Sequence, residues 1–281
     1  MLRQRVISSL CAIPLVVAAV WFDKPLPWFA VFVSIWGILA ILEFYRLVAA
    51  SKVAPLTYFG LIWTPLFILS RNSVLLSILE PYFNLNLLMP FLLTSTVIIS
   101  LIWLLLRPHK ENAFAAWAWT IAGITYLGWL LGYLVALRDL NGGRNWVFFA
   151  LFVTFASDST AFFVGRTWGR HHLAPRISPA KTWEGAIGGI LGSIIFSLFF
   201  ILPTPLSLPL NYGQAMFLGL LVSIMGQLGD LVKSLFKRNM GVKDSGKLLP
   251  GHGGVLDRTD SVIFAGVVVY YYALLISGAM S

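Results

Sequence analysis

The chain has 281 residues, 58% of them hydrophobic and only 11% charged, and its mean hydropathy is +0.84. A soluble domain carries roughly a quarter charged residues, so this composition excludes a water-soluble globule as well as a disordered chain or a coiled coil, and the single cysteine, Cys11, excludes an internal disulfide scaffold. The excess of 20 Lys and Arg over 11 Asp and Glu gives +9, which in a membrane protein points to cytoplasmic loops and anionic phosphates rather than to nucleic acid.

A bilayer-crossing helix needs about 20 largely apolar residues. Nine stretches qualify, giving an all-α polytopic bundle with spans over residues 6–22, 28–47, 54–70, 87–106, 113–137, 146–165, 185–203, 213–236 and 259–280. The first leads through Asp23-Lys24-Pro25 straight into the second and has no clean small-residue cleavage site, so it reads as a span rather than a signal peptide. Residues 74–86 are apolar but interrupted by Glu80 and Pro81, which predicts a short interfacial helix. The fifth span is long and is expected to tilt or break at Gly128 or Gly132. The chain divides into N-terminal helices, residues 1–145, and a C-terminal catalytic region, residues 146–281, with polar loops at 166–184 and 237–257.

With the N-terminus in the cytoplasm, 16 of the 20 cations fall on the cytoplasmic side; only Lys24, Arg71, Arg138 and Arg144 fall outside. That is a strong positive-inside bias. The two polar loops hold eight of these cations, nine with Arg258, and three of the four histidines, His171, His172 and His252. Loop topology alone would collect cations, but these loops also carry acids, glycines and prolines at close spacing.

Acids near or inside spans are costly and usually functional. Asp158 lies within the sixth span, and bonding to a neighbouring helix is its simplest structural role. In the eighth span Ser223, Gln227, Asp230, Ser234 and Lys237 recur at helical spacing and make a polar stripe. Asp257 and Asp260 stand three apart at the head of the ninth span; N-capping and dipole complementation explain that spacing as well as a cavity does, and the two roles are compatible. Glu43 and Arg46, also three apart, read as an ion pair on a helix surface. Gly241–Leu248 approaches a phosphate-binding Walker loop, yet ends in Leu where Ser or Thr is required and follows no strand. The His171-His172 pair and Cys11 lack zinc-ligand spacing. The pairs Gly185/Gly189 and Gly188/Gly192 suit close helix packing, within the chain or across a homodimer.

The segment Ser234-Leu-Phe-Lys237-Arg238, followed by Lys243-Asp244, Pro250-Gly251-His252-Gly253-Gly254 and Asp257-Arg258-Thr259-Asp260, resembles the signature of bacterial phosphatidate cytidylyltransferases, also called CDP-diacylglycerol synthases. Asp158–Gly169 and Ser178-Pro179-Ala180-Lys181-Thr182-Trp183-Glu184-Gly185 resemble a second element of that family; Glu43-Phe-Tyr-Arg46 is a weaker cue. The resemblance implies transfer of a cytidylyl group from CTP to phosphatidate, with pyrophosphate released and Mg2+ required, at the cytoplasmic face of a bacterial inner membrane. It leaves room for a second metal ion. Asp230 and Asp257 are the expected metal ligands, with Asp260 and Asp158 as further candidates. Lys237, Arg238, Lys243, Asp244, His252 and Arg258 are the expected catalytic residues, the four cations and His252 acting on phosphates; Ser178, Lys181, Thr182, Glu184, Ser234, Gly251, Gly253 and Gly254 would hold substrate. A CTP-dependent lipid kinase and an ion-coupled transporter are the alternatives; polar residues gathered at one face favour the interfacial enzyme over the transporter.

Overall fold

The computed structural model describes residues 13–22, 26–107, 111–242, 245–246 and 253–279. The chain clusters into two compact units: residues 1–139 with 240–257, and residues 140–239 with 258–281. The loop after the eighth predicted span therefore groups with the N-terminal helices.

In the first unit, residues 13–21 are helical (α1), followed by α2 (Trp28–Ala50), α3 (Thr57–Leu69), α4 (Ser73–Leu79), α5 (Leu88–Leu106), α6 (Ala113–Gly123) and α7 (Leu130–Asp139). Residues 6–12 of the first predicted span lie outside the described residues. The third predicted span is α3, and the chain turns sharply just after it: α3 and α4 meet at 97°. Asn72 drives the break by capping α4 through Leu75 N–H at 3.1 Å, and Asp139 accepts from the neighbouring Ser73 N–H. The predicted interfacial segment becomes α4 and a single 3-10 turn at Leu85–Leu87.

The long fifth span is interrupted where expected. Ile124–Trp129 winds as a π-helix around Gly128, and Gly128 and Gly132 lie against the α3 backbone at Thr64 and Phe67. Absence of a side chain permits that close approach. Tyr45 of α2 is wedged between Gly60 and Gly123, where any Cβ would overlap its ring, and its hydroxyl donates to Thr120 O at 2.8 Å. One tyrosine thus ties α2 to α3 and α6.

The second unit contains α8 (Gly143–Trp168), a hairpin of β1 (His172–Ala174) and β2 (Ser178–Thr182), then α9 (Trp183–Ser197), α10 (Tyr212–Asn239) and α11 (Asp260–Ala279). The antiparallel hairpin, with His172 opposite Thr182 and Ala174 opposite Ser178, is the one departure from the all-α expectation among the described residues. A 3-10 turn, Leu198–Ile201, extends α9, and another, Leu256–Arg258, precedes α11.

Across both units six described helices are long and apolar enough to cross a membrane, seven if the bent α3–α4 pair counts as one span; α11 adds an apolar stretch over Asp260–Ile276. Of the nine predicted spans, the third (α3) and the ninth (α11) are too short among the described residues to count by themselves, and the first falls largely on residues not described.

Helices α8, α9 and α10 pack through small residues. A side chain at Gly188 would overlap Val164, one at Gly192 would overlap Thr160, and Gly185 lies against Ala161 O and Gly165. The glycine rows that could have served a dimer are therefore filled by α8 of the same chain. Gly192→Leu is expected to destabilise by about 1–3 kcal/mol through overpacking. Gly213→Leu, where the nearest atom is Asn211 Oδ1 at 3.5 Å, is expected to be near neutral; thermal unfolding in detergent compares the two.

Candidate active site

The polar stripe on α10 faces its neighbours. Ser157 and Ser223 hydroxyls are 2.7 Å apart, and Gln227 Nε2 donates to Ser223 Oγ at 3.0 Å and to Ala186 O at 3.1 Å. These bonds lock α8, α9 and α10 in register inside an apolar setting, where unsatisfied polar groups are costly. One turn further, Asp230 sits between two lysines: Lys181 Nζ from β2 at 2.6 Å and Lys233 Nζ at 2.8 Å. Lys181 also donates to Gln227 O at 3.2 Å, and Lys233 reaches Asp260 Oδ2 of α11 at 2.8 Å. Gly229 allows this, because a side chain there would overlap Asp260 O. Asp158 completes the group: its carboxylate lies within electrostatic reach of Asp230, Lys181 and Lys233.

Three predicted acids, Asp158, Asp230 and Asp260, and the predicted Lys181 are thus brought together. Lys233 is the member that sequence reasoning counted only among the cations on the cytoplasmic side. It is 9% exposed, and Asp260 only 2%. A lysine three residues after Asp230 inside an apolar helix was the available signal. Formally, three carboxylates against two ammonium groups leave one negative charge uncompensated.

Lys237 and Arg238 occupy the last turn of α10, where cations complement the helix dipole. Arg238 Nε also donates to Ile177 O at 3.3 Å, tying the hairpin to that turn. Ser234 is half-buried on α10. Gly241, with φ +68°, ends the helix in a conformation that favours glycine.

The hairpin residues expected to hold substrate have local structural work. Thr182 caps α9 by accepting Gly185 N–H at 3.1 Å. Glu184, in the first turn of α9, accepts from Arg170 N at 3.2 Å and His171 N at 3.2 Å, and its Oε1 lies 2.6 Å from His171 Nδ1. Glu184→Gln is expected to loosen residues 169–182 and speed tryptic cleavage at Arg176 without moving the bulk unfolding transition; limited proteolysis followed by mass spectrometry reads this. Ser178 opens β2 and is half-buried.

In the other unit the loop 245–257 is organised by two acids. Asp257 Oδ2 accepts from Ser245 Oγ at 2.8 Å, Ser245 N at 3.1 Å and Gly254 N at 3.2 Å. Glu43 is not a surface ion pair with Arg46. It is 1% exposed and accepts Leu256 N–H at 2.9 Å. Glu43 was therefore misjudged, because its partners are some two hundred residues away in the chain. Gly253 has φ +83°, and Arg258 is exposed at the end of the turn before α11. Lys243, Asp244, Gly251 and His252 lie outside the described residues.

Among the described residues no three His, Cys, Asp or Glu side chains form a ready-made metal cage. Magnesium asks for less: one or two carboxylates, with substrate phosphates and water completing its octahedron. Asp230 and Asp260 offer such hard oxygens. Asp260 Oδ2 is buried and, despite its ion pair with Lys233, receives no well-aligned hydrogen bond from the described residues. The donor set and its charge deficit fit a divalent cation.

Long apolar helices around a cluster of lysine-bridged acids define a multi-pass membrane protein. The chain belongs to the cytidylyltransferase family, whose sequence pattern matches residues 3–276. It is 43% identical over 159 residues to the phosphatidate cytidylyltransferase of Bacillus subtilis, covering 56% of this chain and 58% of that one. Against the phosphatidate cytidylyltransferase of Staphylococcus haemolyticus it is 40% identical over 177 residues, 61% and 65% of the two chains. The uncharacterized protein YnbB of Escherichia coli is 43% identical over 165 residues, 58% and 54% of the two chains. The matched region thus spans between about half and two thirds of these relatives.

Proposed function

We propose that this protein transfers the cytidylyl group of CTP to phosphatidate, releasing pyrophosphate and leaving CDP-diacylglycerol in the bilayer. The observation that carries this reading is the cluster in which Lys181 and Lys233 share Asp230 and Lys233 also holds Asp260, in a chain whose family and relatives handle cytidylyl groups. A phosphatidate phosphate oxygen forms a bond to the α-phosphorus of CTP while the bond from that phosphorus to the β-bridging oxygen breaks, so pyrophosphate leaves with the electron pair. The lipid brings its own nucleophile, and no serine or cysteine is required. Such a displacement depends on alignment and charge neutralisation.

Lys181, released from Asp230 by an arriving phosphate, would hold the nucleotide's phosphates; Lys233 stays with Asp260 and keeps the buried acids in place. Asp230, Asp260 and Asp158 are the residues that would hold Mg2+, which when bound supplies Lewis-acid neutralisation of phosphate oxygens. Lys237, Arg238, Lys243 and Arg258 are assigned to phosphate contacts, with Asp244 and Ser234 supporting them. His252 donates to the leaving pyrophosphate, and Gly251, Gly253 and Gly254 let backbone N–H groups approach. Asp257 serves the loop that carries these glycines. The bias of cations to one side supports a cytoplasmic-facing site in a bacterial inner membrane.

Acceptor choice tests the reading. Purified protein in mixed micelles with CTP and Mg2+ is expected to add a CMP unit to phosphatidate, seen by mass spectrometry, with one pyrophosphate per lipid. Phosphorylation of a polyprenol or of diacylglycerol instead would overturn it in favour of a lipid kinase.

A further inference from the structure

The described ends of the segment assigned to the leaving phosphates, 245–246 and 253–257, meet a side chain from the far end of the sequence. Glu43 lies in the middle of α2 with 1% of its surface exposed. Its Oε2 accepts the Leu256 N–H at 2.9 Å and lies 3.4 Å from Ser245 Oγ, whose hydroxyl also donates to Asp257 Oδ2 at 2.8 Å. Both described ends of the segment therefore meet at one pair of acids.

Two glycines wall the Glu43 carboxylate. A Cβ at Gly246 would overlap its Oε1, and a Cβ at Gly254 would overlap its Oε2 and the Ser245 hydroxyl. Neither glycine has a positive φ, unlike Gly253. Their identity is therefore a steric requirement of the buried carboxylate, not a backbone one. Gly254 has a second task, since its N–H donates to Asp257 Oδ2 at 3.2 Å.

A carboxylate buried inside an apolar helix is expensive unless something depends on it. Among the described residues Glu43 Oε1 has no hydrogen-bond partner, so the acid does not complete a saturated structural network there. What it does fix is the backbone at Leu256, beside the Ser245 hydroxyl whose proton goes to Asp257. A neutral aliphatic residue would leave the Leu256 N–H unmet and free Gly246 and Gly254 to collapse into the vacated space.

We propose that Glu43 is a positioning residue for nucleotidyl transfer: acting through Ser245, Leu256 and the two glycines, it fixes the backbone of residues 245–246 and 253–256. This rests on the cytidylyl-transfer reading above. A displacement of a reacting group by about 1 Å can cost 100-fold in rate, and loss of supporting partners commonly costs about 10–100-fold.

The test uses the full chain in proteoliposomes containing phosphatidate. Glu43→Ala is expected to lower kcat/KM for CTP by about 10–100-fold. Glu43→Gln keeps an oxygen that can accept from Leu256 N–H, and should recover activity to within about threefold of wild type, since the hydrogen-bond geometry survives. Backbone hydrogen exchange over residues 253–256 should speed up by at least about tenfold in Glu43→Ala while α8–α10 keep their protection. Ser245→Ala provides the same exchange readout if Glu43→Ala does not fold. The proposal is overturned if Glu43→Ala keeps its kcat/KM, if Glu43→Gln is as impaired as Glu43→Ala, as a direct metal ligand would be, or if activity falls only in proportion to the folded fraction. Should the wild type transfer no CMP, the reaction assignment fails, and exchange at 253–256 still decides whether Glu43 holds the loop.

Discussion

Asp230→Asn is expected to lower turnover by at least about 100-fold, because it removes the carboxylate common to both lysines and to the proposed cation site. Asp230 is 31% exposed, so the loss in stability should fall below the about 3–5 kcal/mol typical of breaking a fully buried pair. The variant should therefore remain folded and monodisperse in detergent, which size-exclusion chromatography checks. Steady-state assays at rising Mg2+ should show activity that saturation does not restore. More than a tenth of wild-type turnover in Asp230→Asn would remove this residue from the site.

Lys233→Met produces the second large effect, and here stability leads. Lys233 Nζ lies 2.8 Å from both Asp230 Oδ1 and Asp260 Oδ2, with Lys233 9% and Asp260 2% exposed. Removing the ammonium leaves two acids of one cluster without the cation between them, one of them fully enclosed. A cost of about 3–5 kcal/mol is expected. Combining Lys233→Met with Asp260→Asn should return part of that cost, since the second change removes the stranded charge; a coupling of about 0.5–3 kcal/mol is the range for residues in direct contact. Denaturant or thermal unfolding in detergent measures the cycle. Additive losses would show that Lys233 and Asp260 do not depend on each other.

What the sequence made legible follows its physics. Spans such as α8 and α10 were readable because about 20 apolar residues in a row have few alternatives to crossing a bilayer. The break near Gly128 was readable because a glycine in a long span invites close approach, and α3 supplies the neighbour. The end of the third span near Ser70 was readable too, but the cap that Asn72 places on the next helix was not, because hydropathy ignores capping. The two short strands at 172–182 carry no alternating pattern, and Pro175 and Pro179 mark them as loop.

The site divides the same way. Asp158, Asp230 and Asp260 announce themselves as acids in or beside spans. Lys233 was hidden behind topology, since any cation near a span end satisfies the positive-inside rule. Glu43 was hidden by distance: helical spacing offered Arg46, three residues on, whereas the actual partners are Ser245 and Leu256. Small-residue spacing at 185–192 signalled close packing but not with what; the structure supplies Val164 and Thr160 of α8.

The position of the label in CTP gives the most direct test of the central claim. Proteoliposomes of the purified protein with phosphatidate and Mg2+ are given CTP labelled at the α- or the γ-phosphorus, and the lipid is extracted and counted. The expected result is α-label in the lipid and γ-label in released pyrophosphate. Label from the γ-position in the lipid, or no label in lipid from either, would contradict cytidylyl transfer.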